Sequence, residues 1–190
     1  MTSKNAEEFK DMLLKTQREG IEDLIDYLET FGFFEAPCSS QYHLARKQGL
    51  LDHSLNVWKL ADKLANTLIG PKKVTIELKN SIKICALLHD IGKMGQFDKP
   101  NYVPNILKSG AVSDSKPYKT NPELLNVDHE IRSVVIASMF IDLTEDEQFA
   151  ILYHNGLYGN LRYAITGNET PLYMLIHWAD MWASRVVEIE

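Results

Sequence analysis

Apolar residues recur every three or four positions along most of the chain, which is the spacing that places them on one face of an α-helix. This pattern predicts helices over 5–17, 20–31, 51–68, 74–90, 128–141 and 145–154, and a last helix that starts near Pro171 and runs close to the C-terminus. Thr144, with Glu147 three residues later, has the pattern of a capping box at a helix start. We therefore expect an all-α fold.

The segment 92–127 interrupts this pattern. It contains prolines and glycines at short intervals and no long helical repeat, so we expect a long loop with short strands around 102–107 and 111–118. Loops of this length in compact domains are often lids over binding sites. We therefore divide the chain into an N-terminal two-helix extension, 1–36, and a main domain, 37–190, with 92–127 as a lid.

Composition and charge exclude several classes of protein. The net charge of −6 disfavours binding to duplex DNA, which depends on many contacts between basic side chains and phosphates. The chain has no apolar run of the ~20 residues that cross a bilayer, and its first residues lack the apolar segment of a secretory signal. With only two cysteines, a disulfide scaffold and a four-cysteine zinc site are excluded. We expect a cytoplasmic protein with no membrane partner.

Candidate chemistry comes from histidines and an aspartate that lie in register with the apolar faces of the predicted helices. These residues are His53, His89, His129, His154 and Asp180. Burying an ionised carboxylate is costly unless a cation pairs with it, and these faces carry too few basic side chains to do so. A divalent metal satisfies imidazoles and carboxylates at once. Ligands of this mixed kind suit manganese, iron, cobalt, nickel or zinc.

Three segments carry a resemblance to a known family. They are GLLDHS (49–54), ALLHDIGK (86–93) and HWADMWASR (177–185). Together they strongly resemble the HD-domain superfamily of metal-dependent phosphohydrolases, whose pattern is a histidine, a His-Asp pair and a distant aspartate. The resemblance covers the chain from about residue 38 to the C-terminus. It implies a helical HD core and a metal held by His53, His89, Asp90 and Asp180.

Two further histidines indicate a subclass of that superfamily. His129 in DHEIRS and His154 in YHNG resemble the additional ligands of the binuclear HD proteins. The resemblance implies two divalent metals per chain, with Asp90 bridging to a second metal that His129 and His154 hold. Two metals in such a pair can stabilise both the attacking and the leaving oxygen of a phosphoester. The alternative is a mononuclear site with these two histidines outside the coordination sphere.

The resemblance also implies hydrolysis of a phosphoester, with a nucleotide or nucleotide-like small molecule as the substrate. We expect Asp90 and Lys93 to act in catalysis, Lys93 and Arg185 to bind substrate, and a metal-bound hydroxide to attack the phosphorus. His177 is a candidate for orienting Asp180. His43 either packs within its loop or reaches the rim of the site.

The charge of the predicted lid supports an anionic substrate. Residues 93–119 contain five lysines and two aspartates, a local charge of +3, whereas residues 120–190 contain three arginines and eleven carboxylates. Because the lid follows the His-Asp pair directly, it starts at the mouth of the site. Its lysines, Lys108 and Lys116 among them, are expected to attract and bind the phosphorylated substrate.

Three other functions remain open at this point. The same order of ligands resembles that of the mixed-valent di-iron oxygenases that share the HD fold. A non-catalytic, nucleotide-binding regulator is a second alternative, although a regulator does not need a complete ligand set. A nuclease for single-stranded nucleic acid is a third, against which the net charge of −6 and the few aromatic residues of the lid count.

Overall fold

The computed structural model describes residues 3–189 and is mainly helical within that range. The helices are α1 (Lys4–Leu14), α2 (Ile21–Thr30), α3 (Gly49–Leu68), α4 (Ile76–Leu88), α5 (His129–Ser138), α6 (Glu145–Leu152) and α7 (Pro171–Trp182). The all-α prediction is confirmed. None of these helices combines the length and the apolar character that spanning a bilayer requires.

Side-chain caps fix where several helices begin. The hydroxyls of Ser3 and Thr75 accept hydrogen bonds from the free backbone N–H groups in the first turns of α1 and α4. At α6 the predicted capping box is present: the Thr144 hydroxyl accepts from the Glu147 backbone, and the Glu147 carboxylate accepts from the Thr144 backbone. Thr170 caps α7, where a proline occupies the first turn.

The centre of the molecule is α3, which packs against both α4 and α7, while α6 packs against α7. The N-terminal helices join this arrangement, since α1 contacts α3 and α4. Buried side chains from the extension, such as Phe9 and Leu24, belong to the same hydrophobic core as Leu51 and Ile84. The division between 1–36 and 37–190 stays a prediction, and the apolar core runs across it.

The segment between α4 and α5 contains two small antiparallel sheets. Strand β1 (Gly95–Gln96) pairs with β2 (Lys99–Pro100), and β3 (Tyr102–Pro104) pairs with β4 (Tyr118–Thr120). The buried guanidinium of Arg132 on α5 donates to the Gln96 side chain and to the Leu125 carbonyl. This arginine therefore ties both ends of the inserted segment to the helical core.

The helices predicted for α4, α6 and α7 extend further at their C-terminal ends than the observed α-helices, and these ends lie near the candidate site. The helix predicted over 74–90 ends at Leu88, and a 3₁₀ turn, Ile91–Met94, follows it. The helix predicted over 145–154 ends at Leu152, and α7 ends at Trp182 before a π-helical turn, Ala183–Val187. Beyond α4 and α6 the chain stays buried at His89, Asp90 and His154, so the pattern of buried positions does not show where these two helices stop.

Candidate metal centre

The side chains predicted as metal ligands meet around Asp90, although they come from five different parts of the chain. His53, on α3, and Asp180, on α7, lie within the body of their helices. His89 is the residue that ends α4, His129 is the first residue of α5, and His154 follows α6. These three histidines converge because α4, α5 and α6 all direct one end toward the same point.

The Asp90 carboxylate has two sides, each facing a different pair of histidines. Its Oδ2 lies 3.4 Å from Nε2 of both His53 and His89. Its Oδ1 lies 3.1 Å from Nε2 of His129 and 3.4 Å from Nε2 of His154. On the first side, Asp180 Oδ1 lies 3.2 Å from His53 Nε2. Asp90 therefore stands between two groups of nitrogen and oxygen donors.

The hydrogen bonds behind the histidine rings determine what each ring presents to the centre. Nδ1 of His89 lies 2.9 Å from the Ala86 carbonyl, and Nδ1 of His154 lies 2.8 Å from the Ile151 carbonyl. A carbonyl only accepts, so each Nδ1 carries a proton, and the neutral form of each ring presents an Nε2 lone pair. This is the tautomer in which histidine binds a metal, with its other nitrogen held by an outer partner.

These lone pairs face one another and carboxylate oxygens. Nε2 of His53 and Nε2 of His89 are 3.2 Å apart. Within residues 3–189, Asp90 Oδ1 is the buried side-chain polar atom that has no hydrogen-bond partner, even though two imidazole nitrogens lie close to it. Converging lone pairs repel unless a proton or a metal cation lies between them. The donor set therefore fits a metal, and it contains the nitrogen and oxygen ligands that divalent transition ions accept.

Electrostatics keep the central carboxylates ionised. Burial alone would raise the pKa of Asp90, but the Lys93 ammonium, 2.6 Å from Oδ2, and the surrounding imidazoles hold it well below its usual range. Burial likewise opposes ionisation of Asp180, whose pKa is nevertheless low because of its contact with His53. Both carboxylates are therefore charged and able to act as ligands at neutral pH.

His129 is oriented by groups that sequence reasoning missed. Its Nδ1 lies 3.3 Å from the buried Glu130 carboxylate. The Asn155 amide donates to Glu130 over 2.6 Å and lies 3.3 Å from His129 Nε2. The sequence signal for Glu130 and Asn155 is adjacency, because each directly follows a predicted ligand histidine.

Glu188 is the second group that sequence reasoning missed. Its carboxylate oxygens accept from His53 Nδ1 at 2.9 and 3.1 Å and from the Asn56 amide at 2.9 Å, and the side chain is almost completely buried. The π-helical turn after α7 returns the chain so that Glu188 reaches α3. No sequence signal identifies this contact, because it joins residues 135 positions apart.

A cleft of about 940 Å³ leads to the metal centre. Lys93, Asn155 and Asp180 line it on the side of the centre, and Arg185 lines it further out, with its guanidinium 5.7 Å from the Tyr158 ring. Its volume is within the range of small-molecule sites. Lys93 and Arg185, predicted to bind substrate, both face this cleft.

The predicted lid contributes part of the cleft wall. Asp114, Ser115 and Pro117 line the cleft, whereas Lys108 and Lys116 are exposed to solvent and do not line it. In this structure, the two lysines can therefore act on substrate binding through their charge and not through contact inside the cleft. Their role in substrate binding stays a prediction.

The two remaining histidines have different positions. His177 does not contact Asp180 as expected; its Nδ1 donates to the His154 carbonyl over 2.7 Å, which fixes the backbone of a predicted ligand instead. His43 lines the cleft, with Nε2 3.3 Å from Cys38 Sγ. Burial and the neighbouring His53 and Lys93 lower the pKa of His43 to about 4, so its ring is neutral at physiological pH.

Comparison with known proteins identifies the family. No curated protein matches the chain, and no solved structure does. A family model described as HD domain matches residues 50–180, which is more than half of the chain. The match begins on α3, just before His53, and ends at Asp180. With its helical fold and its buried His/Asp cluster, the chain belongs to the HD-domain family, a superfamily of metal-dependent, hydrolase-like proteins.

Proposed function

We propose that this chain is a metal-dependent phosphohydrolase whose substrate is a phosphoester of a nucleotide or nucleotide-like small molecule. The observation that carries the proposal is the two-sided contact of Asp90. One carboxylate oxygen faces His53 and His89, and the other faces His129 and His154. A carboxylate in this position can bridge two divalent ions, which supports a binuclear centre over a mononuclear one.

When bound, such a pair of ions supplies a nucleophilic hydroxide near neutral pH and stabilises the charge on a phosphoryl group. His53, His89, Asp90 and Asp180 would hold one ion. Asp90, His129 and His154 would hold the other. Glu188 and Glu130 orient His53 and His129 through their Nδ1 atoms, which keeps each Nε2 directed at the centre.

Lys93 gives the centre a positive charge that does not depend on a metal. Its ammonium contacts Asp90 over 2.6 Å and the side chain lines the cleft, so a phosphate in the cleft lies within its reach. The Asp90 carboxylate raises the pKa of Lys93 well above its usual value despite burial, which keeps the side chain protonated. A protonated amine at this position stabilises negative charge on the phosphoryl group and cannot act as a base.

The outer part of the cleft supports a nucleotide-sized substrate. Arg185 provides a second cation, and Tyr42, which is 73% exposed, provides an aromatic face on the cleft wall. An aromatic side chain of this kind stacks on a nucleobase. Together with Lys93, these groups match the two ends of a nucleotide: its phosphate and its base.

The decisive experiment is an anaerobic assay of the manganese-loaded protein with a panel of nucleoside monophosphates. We expect release of inorganic phosphate without oxygen. The oxygenase alternative requires iron and stoichiometric oxygen uptake, so turnover only on iron with oxygen would refute the proposal. Binding of nucleotides without turnover on any metal would favour the regulator, and cleavage of single-stranded oligonucleotides in preference to monophosphates would favour the nuclease.

A further inference from the structure

A second group of metal-binding side chains lies on the cleft wall, on the far side of His53 from Asp90. Cys38 Sγ lies 3.3 Å from His43 Nε2, and Glu188 Oε2 lies 4.0 Å from the same nitrogen. Cys38, His43 and His53 each offer a ligand atom within 4.8 Å of the other two. His53 directs Nε2 at Asp90 and Nδ1 at Glu188, and the Glu188 carboxylate contacts both histidines of this group, 2.9 Å from His53 Nδ1 and 4.0 Å from His43 Nε2.

The loop before α3 is built to hold Cys38 and His43 face to face. The Cys38 amide donates to the Leu44 carbonyl over 3.2 Å, which closes the loop, and the Ser39 hydroxyl donates to the His43 carbonyl over 2.9 Å. Leu44 has a φ of 49°, which is unfavourable for a branched side chain. Strained backbone of this kind persists where surrounding contacts enforce it, and it is concentrated at ligand sites.

Gly49, the first residue of α3, shows how closely this loop packs against the helix. A Cβ atom at this position would lie 2.0 Å from the Leu44 carbonyl oxygen and 3.1 Å from the Cys38 amide nitrogen. Only glycine therefore allows the start of α3 to pack against both ends of the loop. The backbone of the loop that carries Cys38 and His43 is therefore fixed by its packing against α3.

The spacing of these atoms suits a small thiophilic cation. With Zn–S of about 2.3 Å and Zn–N of about 2.0 Å, neighbouring tetrahedral ligands are about 3.5 Å apart. The contact between Cys38 and His43, at 3.3 Å, is close to this separation. For an oxygen and a nitrogen ligand with bonds of about 2.0 Å the separation is about 3.3 Å, so Glu188, at 4.0 Å from His43 Nε2, has to move by about 0.7 Å. The Glu188 carboxylate can accept from His53 and still offer an oxygen lone pair to an ion.

We propose that Cys38 Sγ, His43 Nε2 and Glu188 Oε2 form a separate site for a thiophilic divalent cation such as zinc or cobalt. Binding forms one metal–sulfur bond and releases the thiol proton to solvent. His43 and Glu188 line the cleft, so the fourth coordination position is open to it. Three protein ligands with an open position allow a water molecule or an anionic group of a bound molecule to complete the coordination.

Cobalt titration of the intact protein, in a phosphine reductant that does not bind the ion, tests this site. The donors around Asp90 are nitrogen and oxygen only, so a thiolate-to-cobalt charge-transfer band in the near ultraviolet reports a cysteine ligand. We expect this band in the wild-type protein. We expect Cys38→Ser to abolish it and to bind one equivalent of cobalt less than the wild type.

The chain offers a matched control, because its only other cysteine is Cys85. Cys85 is buried on α4, with Sγ 3.8 Å from the Glu147 carbonyl, and Cys85→Ser should retain the band. If Cys38→Ser does not fold, Cys85→Ser still decides the matter, since Cys38 is then the only thiol. A cobalt-saturated wild-type protein without the band, or loss of the band in Cys85→Ser, would overturn the proposal. The readout is bound cobalt, so the result is independent of phosphohydrolase activity.

Discussion

Lys93 and Glu188 support the same centre in different ways. Lys93 contacts Asp90 from the cleft and, in our proposal, adds a cation where an anionic substrate binds. Glu188 contacts His53 from behind and controls the orientation and tautomer of that ring. Because Lys93 is proposed to act on the substrate, replacing it should affect turnover. Because Glu188 acts on His53, a predicted metal ligand, replacing it should affect metal affinity. The two residues can therefore be separated by experiment.

Replacing Lys93 should impair catalysis and leave metal content intact. We expect Lys93→Met to lower kcat about 10²–10³-fold, the effect of removing one group that stabilises charge in the transition state. Lys93→Arg should restore little, because a planar guanidinium does not replace a compact ammonium at 2.6 Å from Asp90. Steady-state kinetics with elemental analysis of the same samples provide the measurement. A full-rate Lys93→Met enzyme would exclude Lys93 from catalysis.

Replacing Glu188 should weaken metal binding. We expect Glu188→Gln to lower the affinity for manganese about 10–100-fold, because the hydrogen-bond partner of His53 Nδ1 loses its charge. Competition with a chelator measures this affinity. Glu123→Gln is the control, since it makes the same change at an exposed position outside the cleft. Equal affinities in the two variants would mean that Glu188 only packs against His53.

At the scale of elements, the contact between α5 and the 3₁₀ turn after α4 sets the distance across the centre. The Gly92 amide donates to the Ser133 hydroxyl over 2.9 Å. Gly92 has no room for a side chain: a Cβ atom would lie 2.2 Å from the His129 carbonyl oxygen. This close approach brings His129 to within 3.1 Å of Asp90.

Gly92→Ala should therefore open the centre between Asp90 and His129. The new methyl group meets backbone atoms that cannot rotate away, so the turn must move away from α5. We expect metal affinity to fall on the order of 10–100-fold, as when groups that orient ligands are disturbed. Gly110→Ala is the comparison, because its methyl group meets nothing within 4 Å although its φ is 85°. That variant should lose some stability but no metal affinity.

The inserted segment between α4 and α5 acts, in our proposal, through its charge. We expect Lys108→Glu combined with Lys116→Glu to lower kcat/KM by up to about tenfold at low salt, with kcat unchanged, because exposed lysines act on encounter with an anionic substrate. High salt should remove the difference. Lys63→Glu with Lys73→Glu changes the net charge equally at exposed positions away from the cleft. Identical salt profiles for the two double variants would refute steering.

At the scale of the whole molecule, an ion pair joins the N-terminal helices to the HD core. Arg18, between α1 and α2, donates to both carboxylate oxygens of Glu147 on α6, at 2.9 and 2.7 Å. The Ser81 hydroxyl and the Thr144 amide also donate to this fully buried carboxylate. The extension is thus fixed to the element that precedes His154, in addition to its apolar packing.

This pair predicts a pH dependence of stability. Burial alone would raise the pKa of Glu147, but the hydrogen bonds from Arg18 and its neighbours lower it. A carboxyl whose pKa is lower in the folded state contributes stability above its unfolded pKa, about 4.3, and loses it as the pH falls through the folded value.

We expect Glu147→Gln to unfold more easily at pH 7 by about 1.5–3 kcal/mol, the range for hydrogen bonds to charged groups. The difference from wild type should begin to shrink as the pH falls below the unfolded pKa of about 4.3 and should disappear once the folded carboxyl is protonated as well. Urea unfolding across this pH range measures it. Glu145→Gln, an exposed change in the same helix, should follow the wild type throughout. If the difference in unfolding free energy between Glu147→Gln and wild type stays constant with pH, the effect comes from altered packing and not from the lost charge.

The sequence alone determined the helical fold class and the family, because both depend on local pattern. Apolar spacing predicts a helix wherever a face is buried, and the all-α prediction is confirmed. The resemblance carried by the segments around His53, the His89-Asp90 pair and Asp180 identified the HD family, which the match over residues 50–180 confirms. The ligand roles of individual residues stay predictions.

Only the tertiary structure decided which groups face one another. The two sides of Asp90, the support of His53 by Glu188 and the approach of Cys38 to His43 depend on where the chain returns after turns, and residue spacing does not encode that. The tertiary structure also decides which way a side chain faces. Lys116 lies between residues that line the cleft but faces solvent itself, because the backbone of the inserted segment turns there.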